Sequence, residues 1–188
     1  MQGRQTSRGT SRDRSAELIA KHLLMTGLAQ TSLRELAAAA GVSDRMLLYY
    51  FADKADALGA GLARIAATLT AMLDAAIPAQ PRLRPAALIA AAVAVTTDRA
   101  VAPYMRLWIE IVAAAARGEA PFVAIAKPIS DGFLDWIEAR LENVGDDDPR
   151  ATAAAILAVI DGLALLEVCV GNDLARRAAG RVGNLFGR

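Results

Sequence analysis

The stretch TSLRELAAAAGVSDRMLLYYFADK, residues 31–54, contains two short helical patterns separated by a tight corner. Ser32 is a candidate N-cap for a first helix that ends at Gly41. Ser43 is a candidate N-cap for a second helix over residues 44–51. Two helices of about two turns on either side of a Gly-Val-Ser corner are typical of a helix-turn-helix.

The second of these helices has two distinct faces. An element that enters a DNA major groove must bury one face against its own domain and present small or hydrogen-bonding groups on the other. Leu47, Tyr50 and Phe51 share one face at i, i+3 and i+4. The opposite face is predicted to carry Asp44, Arg45, Leu48 and Tyr49, with Met46 at the edge.

Two of the outward side chains are candidates for contact with bases. Arg45 is the leading one, because a guanidinium can bond a guanine bidentately. Asp44 has two equally weighted interpretations. Its carboxylate can accept from a cytosine amino group, or it is simply favoured by the helix dipole in the first turn.

The residues before this stretch predict one more helix and a basic arm. The helix should run from near Asp13 to Thr26, with Gly27 in the usual stop position. Its apolar side should carry Leu18, Ile19, His22, Leu23 and Met25. Residues 1–11 are predicted to be disordered, and Arg4, Arg8, Arg12 and Arg14 are candidates for contact with phosphates or a neighbouring groove.

The residues after this stretch also show helical periodicity, and alternation typical of strands scarcely occurs. Asp53 can cap a long fourth helix that ends before Pro78. Further helices are predicted over about 82–99, 103–117, 121–142, 150–170 and 172–186. Pro103, Gly118 with Pro121, and an acidic loop at 145–149 separate them. The sequence therefore predicts an all-α chain of about nine helices.

Composition excludes several classes of site. The chain has 188 residues, of which 55% are hydrophobic, with one Cys and one His. Lone Cys169 and His22 exclude an intramolecular disulfide framework and a Cys/His metal cage, so no metal or cofactor is predicted. Cys169 is interpreted as a small buried hydrophobe and His22 as a structural residue.

Charge and hydropathy indicate where in the cell the protein is expected to be. The net charge is only +1, but residues 1–54 hold eight Lys/Arg against five Asp/Glu. The N-terminus has no apolar stretch typical of a signal peptide. The longest apolar run, residues 86–95, is shorter than the roughly 18 residues that span a bilayer. We therefore expect a cytoplasmic protein without a membrane segment.

Residues 31–54 resemble the DNA-binding domain of the tetracycline-repressor (TetR) family of transcriptional regulators. The shared pattern is T-S-[LV]-R-x-[LI]-A, then A-A-G-V-S, then an aromatic pair with Phe, then a Lys that leads a long helix. RLWIEIVAAAA (106–116) and IDGLALLEV (160–168) are similar to C-terminal helices of the family, so the resemblance covers nearly the whole chain. It implies a helix-turn-helix domain at 12–54 after the arm, and an effector-binding and dimerisation domain at 55–188.

The resemblance also implies which residues contact DNA, some through phosphates and some through bases. They are Thr31, Ser32, Arg34, Ser43, Asp44, Arg45, Met46, Leu48, Tyr49 and Lys54. The chain departs from the family pattern at Leu23, Leu48 and Tyr50, where Phe, Tyr and His are frequent. Leu48 cannot hydrogen-bond a phosphate, so the operator sequence of relatives cannot be carried over.

In this family, one short recognition helix contacts too few base pairs alone, which implies a homodimer. The last two helices are the predicted interface. Ala151, Ala155, Ala158, Gly162 and Leu166 give close-approach positions, with Leu163, Val170, Leu174 and Ala178 as partners. A plain core helix would show the same pattern, and the resemblance favours the dimer. The implied function is a ligand-responsive regulator, a repressor released from a palindromic operator by a small molecule. An activator fits the residues equally well.

The implied effector site is a mostly apolar cavity for an apolar or aromatic compound. Its candidate residues are Tyr104, Met105, Trp108, Glu110, Phe133, Trp136, Asp161 and Leu165. Glu110 and Asp161 have a second interpretation as structural carboxylates, either paired with Arg106 or in a helix-cap contact. The alternative function is a helical small-molecule carrier or enzyme with a vestigial DNA-binding domain. Because the chain has no P-loop or metal motif, we predict that it is not an enzyme.

Overall fold

The computed structural model describes residues 2–142 and 148–185. All the regular secondary structure in these ranges is helical. The helices are α1 (Gln2–Thr26), α2 (Leu33–Ala39), α3 (Asp44–Tyr50), α4 (Lys54–Ala76), α5 (Pro85–Thr96), α6 (Ala102–Ala116), α7 (Phe122–Glu138), α8 (Pro149–Val170) and α9 (Asn172–Leu185). The predicted all-α class of about nine helices is confirmed for the described residues. Residues 145–147 of the predicted acidic loop and the predicted helix end at 186 lie outside them.

Helix α1 is longer than its sequence predicted. It begins at Gln2, whereas a disordered arm was expected through residue 11 and a helix only from Asp13. Residues 2–12 contain no proline, and a helix that is already nucleated gains one hydrogen bond for each residue added to its end. The side chains of Arg4 and Arg8 lie outside the described residues.

The start of α5 and the end of α7 also differ from the prediction, for one shared reason. Helix α5 begins at Pro85 and α7 ends at Glu138, so both are shorter than predicted. Leu83 N–H donates to Arg140 O and Glu142 N–H donates to Leu83 O, both at 2.8 Å. This isolated bridge requires extended backbone. The proline at 85 also disfavours helical backbone in the residue before it.

The chain divides into two compact units. The N-terminal unit comprises the chain through Thr68 together with Glu110–Ile125, and the C-terminal unit comprises Leu69–Ile109 and the described residues from Ala126 onward. Helices α4, α6 and α7 therefore contribute residues to both units. The N-terminal unit is larger than the predicted domain 12–54, and the functional division at Lys54 stays a prediction.

Buried apolar side chains from α1 to α4 form the core of the N-terminal unit. Ile19, Leu23, Leu36, Leu47 and Phe51 are each at most 1% exposed. Gly61 lets α4 approach α1 closely, because a Cβ there would lie 2.6 Å from Cγ2 of Ile19.

Met25 is an exception to the predicted apolar side of α1. It is 80% exposed. Two positions along a helix correspond to a rotation of about 200°, which turns Met25 away from buried Leu23. The other predicted residues of that side are buried or half-buried.

The core of the C-terminal unit includes buried residues of α4, α5, α6, α7 and α8, such as Leu88, Ile89, Ile137 and Ile156. Arg140 lies within this unit at 6% exposure. Its Nε donates to Ile77 O at 2.7 Å, and its guanidinium pairs with Asp74. Every buried side-chain polar atom of the described residues has a hydrogen-bond partner.

Helices α4 and α8 are long and apolar enough to cross a membrane, by length and composition alone. Core helices of water-soluble proteins pass the same test. The sequence predicted no membrane segment from the length of its apolar runs, and that stays a prediction. On α8, Cys169 is exposed, so its predicted burial is wrong.

Candidate nucleic-acid interface

Side-chain caps fix the starts of α2 and α3. The Ser32 Oγ accepts from Glu35 N–H at 3.3 Å, while the Glu35 carboxylate accepts from Ser32 N–H at 2.8 Å. Ser43 Oγ accepts from Met46 N–H at 3.2 Å. Both predicted N-caps are confirmed. Glu35 was missed in the sequence, although Ser-x-x-Glu before an apolar run is the pattern of a capping box.

The two faces of α3 are as predicted. Leu47 and Phe51 are buried against the N-terminal unit, and Tyr50 is half-buried. The residues exposed on the other side are Asp44, Arg45, Met46, Leu48 and Tyr49. Helix α3 therefore presents a surface of one guanidinium, one carboxylate and three large side chains, the combination that direct contact with base edges uses.

The remaining predicted contact residues surround this surface. Ser43 and Ser32 are exposed at the helix starts, and Arg34 and Lys54 are exposed in the first turns of α2 and α4. Thr31 is half-buried, and its hydroxyl donates to Leu28 O at 3.3 Å. The ion pairs of the described chain do not include Arg34, Arg45 or Lys54. These cations are therefore available for phosphates or bases.

A polar cluster holds the start of α4 beside the end of α3. Asp53 caps α4 by accepting from Asp56 N–H at 2.8 Å, as predicted. Asp56 in turn accepts from Ala52 N–H and from Arg12, each at 2.9 Å. The Arg12 guanidinium also lies 4.8 Å from the centre of the Phe51 ring. Arg12 thus binds within its own domain, and its contact with DNA stays a prediction.

The contacts of Arg12 with Phe51 and Asp56 were not predicted from the sequence, because these partners lie 39 and 44 positions away. A local signal existed only for Asp56. The Asp-x-x-Asp spacing of residues 53–56 is similar to a capping box.

The corner between α1 and α2 is fixed by a carboxylate from α6. Glu110 Oε2 accepts from Leu28 N–H at 2.7 Å. Gly27 next to it has φ +64°, and a Cβ there would lie 2.5 Å from a Glu110 oxygen. Glycine is therefore required at this position for both its backbone conformation and the approach of the carboxylate. Glu110 thus makes a structural contact, but with a backbone N–H of this corner and not with Arg106, which donates to Ala102 O.

The other predicted effector-site residues belong to the C-terminal unit, where their role stays a prediction. Tyr104, Trp108 and Phe133 are half-buried against its core, and Met105 and Trp136 are buried within it. The Trp108 indole Nε1–H donates to Asp161 Oδ1 at 3.2 Å. Burial raises the pKa of Asp161 to about 6, although the Trp108 hydrogen bond acts in the opposite direction.

Leu165 differs from these residues in its exposure. It is 51% exposed on α8, beside the similarly exposed Leu166 and Val168. His22, predicted to be structural, lies beside Gln30 with 2.9 Å between its Nε2 and the Gln30 carbonyl oxygen. The described residues contain no group of three or more His, Cys, Asp or Glu that could hold a metal ion.

The helix-turn-helix and its flanks match a known family model. Residues 14–60 match the sequence model of the tetR family of bacterial regulatory proteins. The match covers the predicted helix-turn-helix with the end of α1 and the start of α4. No curated protein sequence matches this chain.

Solved structures share the fold of this chain along nearly its full length. A transcriptional regulator from Rhodococcus sp. Rha1 is 22% identical, with 93% of this chain and 95% of that one covered and a TM-score of 0.73. A transcriptional regulator from Saccharomonospora viridis, solved in complex with choline, is 16% identical, with 92% and 95% covered and a TM-score of 0.69. The multidrug binding protein EbrR complexed with proflavin is 24% identical, with 91% and 98% covered and a TM-score of 0.62. The chain therefore has the fold of a TetR-family transcriptional regulator.

Proposed function

We propose that this protein is a ligand-responsive transcriptional repressor that binds a palindromic operator as a homodimer. In this proposal, α3 enters the major groove, the C-terminal unit binds a small molecule, and the bound molecule favours a conformation with lower operator affinity. A ligand produces such release only through its different affinities for the two conformations.

The outward face of α3 is the observation that carries this proposal. Arg45, Leu48 and Tyr49 are exposed there while Leu47 and Phe51 anchor the helix from behind. Arg45 is assigned to bases, and Leu48 to a thymine methyl group or a sugar. Arg34 and Lys54 are assigned to phosphates, together with Tyr49, Thr31 and the start of α2.

Exposed apolar residues at the end of the chain support the homodimer. Of the eleven large hydrophobic residues exposed in the described chain, five lie between positions 165 and 174. They are Leu165, Leu166, Val168, Val170 and Leu174. Clustered exposed apolar groups mark a surface that is covered in the working molecule.

The small residues of α8 extend the same surface. Ala151, Ala155, Ala158 and Gly162 are all exposed, at spacings that place them along one side of the helix. Leu163 and Ala178 are the exceptions among the predicted interface residues, because Leu163 is 4% exposed and Ala178 is half-buried against the core of its own chain. A second copy of α8 and α9 is the occupant that we propose for this surface.

A lipid bilayer is a less suitable occupant for α8. Asp161 and Glu167 lie within the helix, and an ionised carboxylate in the hydrocarbon region is costly. The helix also packs through Ile156, Ile160 and Leu163 into the core of the C-terminal unit. We therefore propose a cytoplasmic protein whose α8 faces its partner subunit.

Small molecules bound by proteins with this fold support the proposal that the C-terminal unit binds an effector. The Saccharomonospora viridis protein was solved with choline, and EbrR with proflavin and with imidazole. In this chain, the half-buried aromatic residues Tyr104, Trp108 and Phe133 are the groups that we propose to contact such a molecule.

Fluorescence anisotropy tests DNA binding directly. The purified protein is titrated into duplex DNA from the intergenic region beside its own gene and into a scrambled duplex, at two salt concentrations. We expect tight binding to the first duplex only, weakening steeply with salt because Lys and Arg release counterions from the phosphates.

An Arg99→Ala variant is the matched control, since Arg99 is an exposed arginine of the C-terminal unit. Its binding should equal that of the wild type. Equal or absent binding of the wild-type protein to both duplexes, before and after refolding to remove a bound molecule, would contradict the proposal and favour the carrier alternative.

A further inference from the structure

The described residues of the C-terminal unit include a complete cluster of a carboxylate, a tryptophan and a cation. Asp74 Oδ1 accepts from Trp136 Nε1–H at 2.8 Å and pairs with the Arg140 guanidinium. That guanidinium also stacks over the Trp136 ring, 3.9 Å from its centre. The cation is thus held both by the negative carboxylate and by the electron-rich face of the indole.

A second carboxylate–tryptophan pair in the same unit has the first two components of that cluster. Asp161 Oδ1 accepts from Trp108 Nε1–H at 3.2 Å. The ion pairs of the described residues join neither Lys nor Arg to Asp161. Arg106 is the basic residue nearest to Trp108 in sequence, and it donates to Ala102 O.

The surroundings of Asp161 are apolar. On α8, Leu157 and Ala164 lie one turn away from it on the same face and belong to or pack against the core of the unit, as do Trp108 and Tyr104 from α6. A carboxylate in such surroundings is costly unless a positive charge or several donors compensate it. A single indole N–H supplies one neutral donor, which leaves the negative charge uncompensated.

We infer that Asp161 and Trp108 bind an organic cation, an ammonium or amidinium group carried on an apolar or aromatic body. The carboxylate would take the place of Asp74, the indole that of Trp136, and the ligand cation that of the Arg140 guanidinium. A hard metal ion does not fit, because it needs several oxygen ligands and the described residues contain no group of three or more His, Cys, Asp or Glu. The assignment of this cation as the effector rests on the proposed function. The binding of a cation by Asp161 and Trp108 does not depend on it.

Calorimetric titration with matched pairs of compounds tests the site. The probes are benzamidinium with its neutral analogue benzamide, and benzyltrimethylammonium with its neutral analogue neopentylbenzene. We expect each cation to bind the wild-type protein at least tenfold more tightly than its neutral analogue, a difference of about 1.4 kcal/mol.

Three variants assign the preference to the carboxylate. Asp161→Asn keeps the shape and the acceptor for Trp108 but removes the charge, so it should lose the tenfold preference. Asp161→Glu keeps the charge and should retain a preference for the cations. Asp135→Asn removes an exposed carboxylate of the same unit, whose partner Arg150 keeps its contact with Glu138, and should bind as the wild type does. Thermal melting establishes that each variant is folded.

Equal affinity for cations and neutral analogues in the wild type would overturn the inference, as would an unchanged preference in folded Asp161→Asn. A second experiment adds the cations to the protein–operator complex. Cation binding that leaves operator affinity unchanged would support the site and contradict only its role as the effector site. Loss of operator affinity in the wild type but not in Asp161→Asn would support both.

Discussion

Arg45 and Lys54 are both exposed cations, yet substitution of each should have a different effect on DNA binding. Arg45→Ala removes a base contact, so it should weaken binding to the operator by about 1–3 kcal/mol and narrow the difference from a scrambled duplex. Lys54→Ala removes a phosphate contact. It should weaken binding to both duplexes similarly and reduce the salt slope by about one.

Anisotropy titrations at four salt concentrations distinguish the two effects. The same loss of specificity in both variants would contradict the assignment of Arg45 to bases. Operator affinity unchanged in both variants would contradict the placement of the interface on α3 and α4.

Asp161 should make the stability of the folded chain depend on pH. Its folded-state pKa of about 6 lies above its ordinary value of 3.8, so the folded state holds the proton more tightly than the unfolded state does. The stability that this provides is complete below about pH 4 and is lost as the pH rises through 6. The Asp161→Asn variant does not lose stability over this pH range in the same way, because an asparagine side chain does not ionise.

Relative to the wild type, the Asp161→Asn variant should therefore gain about 1–3 kcal/mol in its free energy of unfolding between pH 4 and pH 7.5. Urea unfolding at several pH values measures this difference. A difference between the two proteins that is independent of pH would show that Asp161 titrates normally.

At the scale of elements, the close approach of α1 and α4 depends on Gly61. Gly61→Ala places a methyl group 2.6 Å from Cγ2 of Ile19, and Ile19 is fully buried. We expect a loss of about 1–3 kcal/mol in the free energy of unfolding, the usual cost of overpacking a core. Chemical denaturation followed by circular dichroism measures it.

Gly132→Ala is the control for helix propensity, because Gly132 lies in α7 with no atom within 4 Å of its added Cβ. That substitution should stabilise the chain by up to about 1 kcal/mol. Equal effects of the two alanines would mean that α1 and α4 are less closely packed than their side chains indicate.

At the scale of the whole molecule, the apolar surface of α8 and α9 should determine the assembly state. Leu165→Glu and Val168→Glu place a charge on residues that are 51% and 57% exposed in the single chain. If a second copy covers them, each variant should sediment as a monomer while the wild type sediments as a dimer. Sedimentation velocity at several protein concentrations distinguishes the two species.

Val123→Glu is the matched control, since Val123 is 53% exposed in the N-terminal unit, away in sequence from α8. It should leave the dimer intact. A wild-type chain that sediments as a monomer at every concentration would contradict the homodimer, and the two-site operator with it.

The elements and their order were predictable because their signals are local. Ser32, Ser43 and Asp53 accept from backbone N–H groups three residues away, so their roles as caps follow from short spacings. Gly27 and Gly41 follow helices and have φ of +64° and +70°. Such left-handed backbone is expected for a glycine at the end of a helix. The inward and outward faces of α3 follow in the same way from the helical period.

The sequence by itself thus determined the all-α class, the positions of the caps and the exposed face of α3. Only the tertiary structure decided which distant groups meet: Arg12 with Asp56 and Phe51, Glu110 with Leu28, and Leu83 with Arg140. These partners lie 39 to 82 positions apart, and many arginines and carboxylates of the chain were equally possible partners. Caps and helical faces depend on a few neighbouring residues, whereas the choice of a partner depends on how whole helices pack.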